Sequence, residues 1–293
     1  MYHFSDYAKI GCKGHANFDF VDIRLDKDNR VFIDPILLEL APDNWSRNAT
    51  KFVHSYFSSC YHFFRNDEMG KISDLFAHAH EQNATKLGYG NGRNGKGKTE
   101  KGLKESWESF GLLIREISTI NKAIDTPIFV KNFGEDCMSD LLTNILHEPL
   151  NEFTASQMKK YNLSLPTKSK KFWTWSIEEK TWIQVERKSL LYEGKELLLV
   201  PKWIVRPNYI YGIDHYLFSV IAREIKKEKN LEDMSNKEVV SNYFKPAKHK
   251  KTIEYTKEHS NVLEEYHEHV IKCYKKKGNR ITDEKLDKII YKK

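Results

Sequence analysis

Several stretches of the chain show the short apolar runs, or the strict alternation of apolar and polar residues, that are typical of β-strands. They lie at residues 16–34, 127–131, 172–188 and 197–200. The first stretch predicts a β-hairpin, and the third predicts two strands around the turn Glu178–Lys180. The run at 197–200 is apolar throughout, which favours a central strand buried on both faces.

Longer stretches carry apolar residues at every third or fourth position, which is the spacing of an amphipathic α-helix. These predicted helices lie at residues 48–64, 71–85, 103–117, 138–146, 151–161, 213–228, 239–244 and 262–274. Asp34 followed by Pro35 predicts another helix start, because Asp caps free amides and Pro suits the first turn. Ser235 and Glu238 have the spacing of a capping box. Together the patterns predict an α/β fold, with a mixed β-sheet packed by several helices.

The composition changes near residue 228. Residues 1–228 contain the predicted strands and most of the apolar helices, and they are predicted to form an α/β core domain. Residues 229–293 are highly charged and contain the basic run Lys245–Lys251, which is predicted to be a linker. This second part is therefore predicted to be a basic helical appendage at the C-terminal side of the core.

Composition and charge narrow the class of protein. The chain has 293 residues, of which 40% are hydrophobic and 13% aromatic, so it can bury a core and is not a disordered chain. A formal net charge of +7 suits an anionic partner such as nucleic acid, and it suits plain solubility equally well. Four scattered cysteines are interpreted as reduced thiols. With neither a long apolar run nor a leader pattern, we expect a soluble cytoplasmic protein that has no membrane contact.

Acidic residues are concentrated where the predicted strand at 127–131 gives way to a helix. Glu135, Asp136 and Asp140 lie at this junction, together with Ser139. The junction between a strand and the following helix is the usual position of a functional site in an α/β protein. Capping of the helix is the alternative role for Asp136 and Ser139.

A second acidic position belongs to a predicted strand. Glu186 and Lys188 are two residues apart and therefore project from the same side of that strand. Nucleases of the PD-(D/E)XK type use such an acid-x-lysine pair, with two carboxylates holding Mg²⁺ and the lysine near the attacking water. Asp136 or Asp140 would be the first carboxylate and Glu186 the second. An exposed strand face is the alternative interpretation of the pair.

Basic residues form further candidates for contact with phosphate. Gly92–Thr99 reads GRNGKGKT and matches the phosphate-loop pattern, but a polar stretch precedes it where that loop needs a buried strand. Nucleotide binding through this loop therefore remains an alternative to a basic loop that contacts a phosphate backbone. Lys202 follows the predicted strand at 197–200 and is a candidate to face the scissile phosphate. The candidate nucleic-acid-binding residues are Arg93, Lys96, Lys98, Lys170, Lys171, Lys248, Lys250 and Lys251.

Several blocks of the sequence together resemble a family of uncharacterised bacterial proteins. The blocks are Asp22–Asp26, Phe32–Pro35, Lys86–Tyr89 with its glycine loop, Asp136–Ile145 and Leu198–Lys202. The resemblance spans roughly residues 19–206 and implies a loose association with mobile and phage-defence gene neighbourhoods. It draws attention to Asp136, Asp140, Asn144 and Lys202, whereas the pair of Glu186 and Lys188 lies outside these blocks.

The leading hypothesis is a cytosolic bacterial protein directed at nucleic acid, acting as a Mg²⁺-dependent nuclease in a phage-defence system. Asp136, Asp140 and Glu186 would hold the metal, and Lys188 or Lys202 would face the phosphate. The rival hypothesis is a non-catalytic subunit that binds nucleic acid or a partner protein of a defence operon through its basic loop and tail.

Overall fold

A computed structural model describes residues 2–78, 83–89, 107, 110–276 and 280–292 of the protein. Helices make up most of the described chain, and residues 110–116 are also helical. The helices with defined bounds are α1 (Phe4–Tyr7), α2 (Pro35–Leu40), α3 (Asn44–Arg65), α4 (Met69–Phe76), α5 (Thr126–Phe129), α6 (Glu135–Ile145), α7 (His147–Lys160), α8 (Ile213–Tyr216), α9 (Ala222–Lys229), α10 (Asn236–Phe244), α11 (Lys248–Glu258), α12 (Asn261–Lys275) and α13 (Asp283–Ile290). A π-helical turn, Leu217–Ile221, joins α8 to α9.

The strands form two small antiparallel sheets. They are β1 (Phe32–Ile33), β2 (Thr167–Ser176), β3 (Thr181–Tyr192), β4 (Lys195–Glu196) and β5 (Val205–Arg206). One sheet pairs β1 with β5, and the other has the order β2-β3-β4. The long hairpin of β2 and β3 has Trp175 opposite Trp182 next to its turn. This hairpin confirms the predicted pair of strands at 172–188, and it begins earlier because Thr167–Lys171 also pair. The predicted α/β class with several helices is confirmed, and helices are present at the C-terminal side.

Local sequence signals give the correct helix starts. Asp34 caps α2, because its Oδ1 accepts a hydrogen bond from the amide of Ile36 at 2.8 Å. Ser235 and Glu238 form the predicted capping box at the start of α10. The aromatic-rich helix predicted at 48–64 is α3, whose buried side faces the hairpin: the Tyr56 ring lies 5.0 Å from that of Trp175.

Three predicted strand segments are wrong. Residues 127–131 mostly belong to the short helix α5, since Pro127 suits a first helical turn as well as it suits a strand boundary. The hairpin predicted at 16–34 is also not formed, and from that stretch only β1 is a strand, paired with distant β5. Residues 197–200 are buried but are not a strand, because their amides and carbonyls bond to several separate segments. Apolar runs predicted burial correctly here, and conformation incorrectly.

The hydrophobic core continues across the predicted boundary at residue 228. Ile225 lies before that boundary, Val239, Leu263 and Tyr274 lie after it, and all four belong to one cluster of buried side chains. The division into 1–228 and 229–293 stays a prediction. Within the second part, the linker predicted at Lys245–Lys251 is wrong, because α11 begins at Lys248.

The last helix is joined to the beginning of the chain by a hydrogen-bonded cluster that we call the terminal network. It comprises Ser5, His15, Asp22, Lys202, Asp283, Asp287 and Tyr291. His15 is central, because its Nδ1 lies 2.5 Å from Asp287 Oδ1 and its Nε2 accepts from the Asp22 amide at 3.0 Å. Burial lowers the pKa of His15, which favours the neutral ring that this arrangement requires.

Among the described residues, no helix combines the length and the apolar composition needed to cross a membrane.

Candidate functional site

The acidic residues of the predicted junction lie on the side of helix α6 that faces away from the core. Glu135 and Asp136 occupy the first turn of the helix, where the helix dipole favours negative charge, and Asp140 lies one turn further on. All three are half-buried, while Met138, Leu141 and Leu142 face the core. We call Glu135, Asp136 and Asp140 the acidic face.

The helix of the acidic face is contacted by two other sequence blocks that carry the family resemblance, at residues 32–35 and 86–89. Ser139 Oγ accepts a hydrogen bond from the amide of Ile33 at 3.1 Å, which joins α6 to β1. The hydroxyl of Tyr89 donates to Glu135 Oε2 at 3.3 Å. Gly88 has a φ of +145°, and a Cβ at this position would lie 3.0 Å from Asp136 Oδ1. Glycine therefore fits both the backbone conformation and the close approach of the carboxylate. The blocks 32–35, 86–89 and 136–145 thus meet at one place.

Asp34 is a buried carboxylate next to strand β1, which bonds to helix α6. It is 0% exposed, and it accepts a hydrogen bond from the Tyr274 hydroxyl at 2.5 Å. Arg206 Nε lies 3.9 Å from Asp34 Oδ2, and its guanidinium lies 5.1 Å from the centre of the Tyr274 ring. Burial raises the pKa of Asp34 to about 6, although Tyr274, the capped amides and Arg206 act in the opposite direction. Because Asp34 has no solvent contact, it positions other groups and does not itself meet a ligand.

Two stacked tyrosines lie beside the same carboxylates. The rings of Tyr209 and Tyr211 are stacked at an interplanar angle of 19° with centres 4.7 Å apart, and the Tyr209 hydroxyl donates to the carbonyl of Ile33. Burial raises the pKa of Tyr209 well above its ordinary value, and Asp34 and Glu135 raise it further. Tyr209 is therefore a neutral hydrogen-bond donor at physiological pH and holds β1 in place.

Glu186 and Lys188 lie on the hairpin, not beside helix α6. In the register of β2 and β3, Glu186 is opposite Lys171 and Lys188 is opposite Ser169. Glu186 accepts a hydrogen bond from Ser169 Oγ at 2.7 Å. Side chains on one face of a strand pair alternate with those on the other, so this face also contains Trp173 and Gln184. We call Ser169, Lys171, Trp173, Gln184, Glu186 and Lys188 the outer face of the hairpin, and all six are exposed.

The structure does not bring the three predicted metal ligands together. Across the part of the chain that the structure describes, Asp136, Asp140 and Glu186 do not form a group whose oxygen atoms lie within 4.8 Å of one another. The hairpin approaches the C-terminal end of α6, since Phe172 contacts His147 with ring centres 4.0 Å apart. Asp136 is in the first turn of α6, and the end of the helix at Ile145 lies about 13 Å further along its axis, at a rise of about 1.5 Å per residue. Asp136 and Asp140 lie four residues apart on helix α6, whereas Glu186 lies on the hairpin.

The lysine at position 202 belongs to the terminal network. Its Nζ donates to the carbonyl of His15 at 2.5 Å and to the carboxylate of Asp283 at 2.9 Å. The observed role of Lys202 is therefore to hold α13.

The remaining basic candidates have mixed surroundings. Lys170 and Lys171 are on β2, where Lys170 is opposite Arg187. On α11, Lys248 forms an ion pair with Asp214 at 2.6 Å, and Lys250 pairs with Glu254 at 3.7 Å. Lys251 Nζ donates to the carbonyl of Lys245 at 3.3 Å. Arg93, Lys96 and Lys98, with the whole of Gly92–Thr99, lie outside the described residues.

Most of the chain matches the model of one protein family. Residues 9–211 match the family model described as "Domain of unknown function (DUF8370)", and this range is more than half of the chain. The chain belongs to this family. No curated protein and no solved structure matches it. The matched range includes the acidic face, the hairpin and Lys202, and it ends before helix α8.

Sequence reasoning missed one group of residues with ligand chemistry. His215, His269 and Cys273 have donor atoms that all lie within 4.8 Å of one another. The available signal is the spacing of His269 and Cys273, four residues apart on a predicted helix, which puts both on one face. The contribution of His215 comes from a distant segment and has no signature in the sequence.

Proposed function

We propose that the protein binds single-stranded nucleic acid along the outer face of the β2–β3 hairpin. The observation that carries this proposal is the side chain of Trp173, which is 38% exposed and stacked on His78 with ring centres 3.9 Å apart. An exposed aromatic ring next to lysines is the usual platform for an unpaired base, because every base has a π-face to stack.

The charges around Trp173 suit a phosphate backbone. Lys171 and Lys188 share its face of the hairpin, and Lys168, Lys170 and Arg187 lie on the same two strands. Glu186 offsets one of these charges, and Glu148 pairs with Arg187 at 2.6 Å. The balance remains positive. Phosphate contacts of this kind supply affinity without sequence specificity, so we expect binding that weakens steeply with salt.

The binding test uses fluorescence anisotropy with labelled single-stranded DNA, single-stranded RNA and duplex DNA at several salt concentrations. Wild-type protein is expected to prefer a single strand. The double variant Lys171→Ala/Lys188→Ala is expected to reduce the slope of log affinity against log salt by about 1.4–1.8, which corresponds to two lost phosphate contacts. Lys227→Ala is the matched control, because Lys227 is exposed and pairs with Glu224 on α9.

Trp173→Ala separates stacking from charge. Loss of one stacked base costs about 1–3 kcal/mol, or roughly 5-fold to 150-fold in affinity, with the salt slope unchanged. Leu112→Ala is the control for an exposed apolar side chain, since Leu112 is 60% exposed. Wild-type affinity in both Trp173→Ala and the double lysine variant would show that the hairpin is not the binding surface.

Metal-dependent cleavage is a second candidate function, supported by the acidic face. Asp136 and Asp140 are half-buried, four residues apart on one helix, and Gly88 allows the backbone to approach Asp136 closely. Carboxylate oxygens at this spacing suit Mg²⁺, which would polarise a phosphate and activate water when bound. In this form of the hypothesis Lys188 contacts the strand, and Glu186 does not hold the metal.

Cleavage is tested by incubating labelled single strands and plasmid with Mg²⁺ or Mn²⁺. Wild type and Glu186→Gln are expected to cut at similar rates, and Asp140→Asn is expected to lose cleavage while it retains binding. Wild-type protein that binds but never cuts would leave the non-catalytic binding subunit as the function. A role in phage defence, which the sequence resemblance implies, is tested by plaque counts on cells that carry wild type or Asp140→Asn.

A further inference from the structure

We propose that His215, His269 and Cys273 bind a transition-metal ion of the zinc class. The donor atoms of these three half-buried side chains lie within 4.8 Å of one another. Imidazole nitrogen and thiolate sulfur are the ligands that Zn²⁺ prefers, whereas Mg²⁺ prefers oxygen. The site is therefore different in chemistry from the acidic face on α6, and it lies outside the range 9–211 that defines the family.

Two of the ligands come from helix α12. His269 and Cys273 are four residues apart, so they project from the same face of the helix. His269 Nε2 lies 3.4 Å from Cys273 Sγ. For a tetrahedral zinc with a Zn–N bond of about 2.1 Å and a Zn–S bond of about 2.3 Å, the two ligand atoms are about 3.6 Å apart. The observed separation is close to the one that a shared ion needs.

The third ligand comes from helix α8, at the point where the helix widens into a π-helical turn. His215 precedes this turn, and its ring centre lies 5.5 Å from that of His269. The His215 carbonyl accepts from Ser219 Oγ at 2.5 Å, which fixes the backbone. π-Helical turns often occur at functional sites, because they re-aim a side chain that a regular helix would direct elsewhere.

A tyrosine holds the ring of His215 in place. Tyr266 Oη lies 3.1 Å from His215 Nδ1, and it accepts from the amide of Gly212, also at 3.1 Å. Hydrogen bonds of this kind to a metal-binding histidine orient its ring and fix which nitrogen faces the ion. Three protein ligands leave a fourth tetrahedral position for water or another ligand, as in zinc sites that exchange their fourth ligand. A bound ion would also connect α8 to α12.

Cobalt titration of the full-length protein tests the site. The protein is stripped with a chelator, kept reduced and titrated with Co²⁺, whose thiolate complexes absorb in the near ultraviolet. We expect this band to saturate at one equivalent, and one equivalent of Zn²⁺ to abolish it. Zn²⁺ is also expected to raise the melting temperature of the wild type.

Variants assign the ligands. Cys273→Ser is expected to lose the thiolate band, and His215→Gln and His269→Gln are each expected to weaken binding by at least about tenfold. Cys137→Ser and His259→Gln are controls, because both residues are half-buried and outside the cluster. Circular dichroism checks that every variant is folded. A folded wild type without the band at one equivalent, or a Cys273→Ser variant that keeps it, would overturn the proposal.

Discussion

The acidic face of α6 and the outer face of the hairpin differ in charge, and they differ more in how their side chains are held. Around the acidic face, Tyr89 bonds Glu135, Gly88 lies against Asp136 and Ser139 bonds β1. On the hairpin, side chains project into solvent from a regular two-stranded ladder. Changes near the acidic face should therefore alter folding stability, and changes on the hairpin should alter binding with little effect on stability.

The largest expected effect is a pH dependence that originates at Asp34. Its pKa rises from an ordinary value of 3.8 to about 6 in the folded protein. Between these values the folded state holds a proton that the unfolded chain has released, so the free energy of unfolding falls as pH rises and is level above about 6. A separation of about two pH units corresponds to about 3 kcal/mol. Urea unfolding from pH 4 to pH 7 measures it, with Asp34→Asn as reference.

Asp34→Asn keeps a good helix cap and removes the titration. The difference in unfolding free energy between the variant and wild type should therefore grow in favour of the variant as pH rises from 4 to 6. A difference that is constant with pH would mean that the pKa of Asp34 is the same in the folded and unfolded protein. That result would contradict the strong effect of burial on this carboxylate.

Removal of the Tyr274 hydroxyl should have the next largest effect. Tyr274→Phe leaves the buried Asp34 carboxylate without the donor that lies 2.5 Å away. A hydrogen bond to a charged group contributes about 1.5–3 kcal/mol, so we expect a loss of stability in that range at pH 7. Tyr2→Phe is the control, because Tyr2 is exposed and should change stability by less than about 0.5 kcal/mol. Equal melting curves for the two variants would contradict the assignment.

Gly88→Ala tests the close approach at the acidic face. A Cβ at Gly88 would lie 3.0 Å from Asp136 Oδ1, and the φ of +145° is unfavourable for alanine. We expect a loss of about 1–3 kcal/mol in the free energy of unfolding. Gly11→Ala is the matched control, since a Cβ there has no neighbour within 4 Å. If both variants unfold at the same urea concentration, the packing of Gly88 against Asp136 is not needed for stability.

The smallest expected effect is on the hairpin. Glu186→Gln keeps the size of the side chain and loses its charge in a solvent-exposed position, so stability should change by less than about 0.5 kcal/mol. Binding to single-stranded nucleic acid should strengthen slightly, because one negative charge beside Lys171 and Lys188 is removed. Anisotropy and urea unfolding of the same preparation measure both quantities. A large loss of stability would place Glu186 among the structural residues.

Elements set by neighbouring residues could be predicted from the sequence. The cap at Asp34, the capping box at Ser235, helix α3 and the strands of the hairpin all follow from patterns within a few residues. The segments at 128–130 and 197–200 show the limit. Their apolar side chains are buried as expected, but a run of three or four apolar residues can be buried in a helix, a strand or an irregular segment.

The candidate site depends on partners that are distant in sequence, and these could not be predicted. Nothing near Asp34 indicates that Tyr274 donates to it, or that Arg206 lies close. The resemblance drew attention to Asp136, Asp140 and Lys202 together, but only Asp136 lies next to Gly88, and Lys202 bonds to Asp283 instead. The prediction that Glu186 would lie beside Asp136 and Asp140 is wrong for the same reason. The spacing along a strand shows on which face a side chain lies, but it does not show which distant residues pack near that face.

The terminal network also has a consequence for the order in which the chain folds during synthesis. His15 and Asp22 cannot complete their hydrogen bonds until Asp287 and Tyr291 have left the ribosome. Domains generally fold as units while synthesis proceeds from the amino end, and contacts between distant residues form late. The segment that carries His15 and Asp22 should therefore reach its final, fully bonded arrangement only after residues 283–291 have emerged and docked.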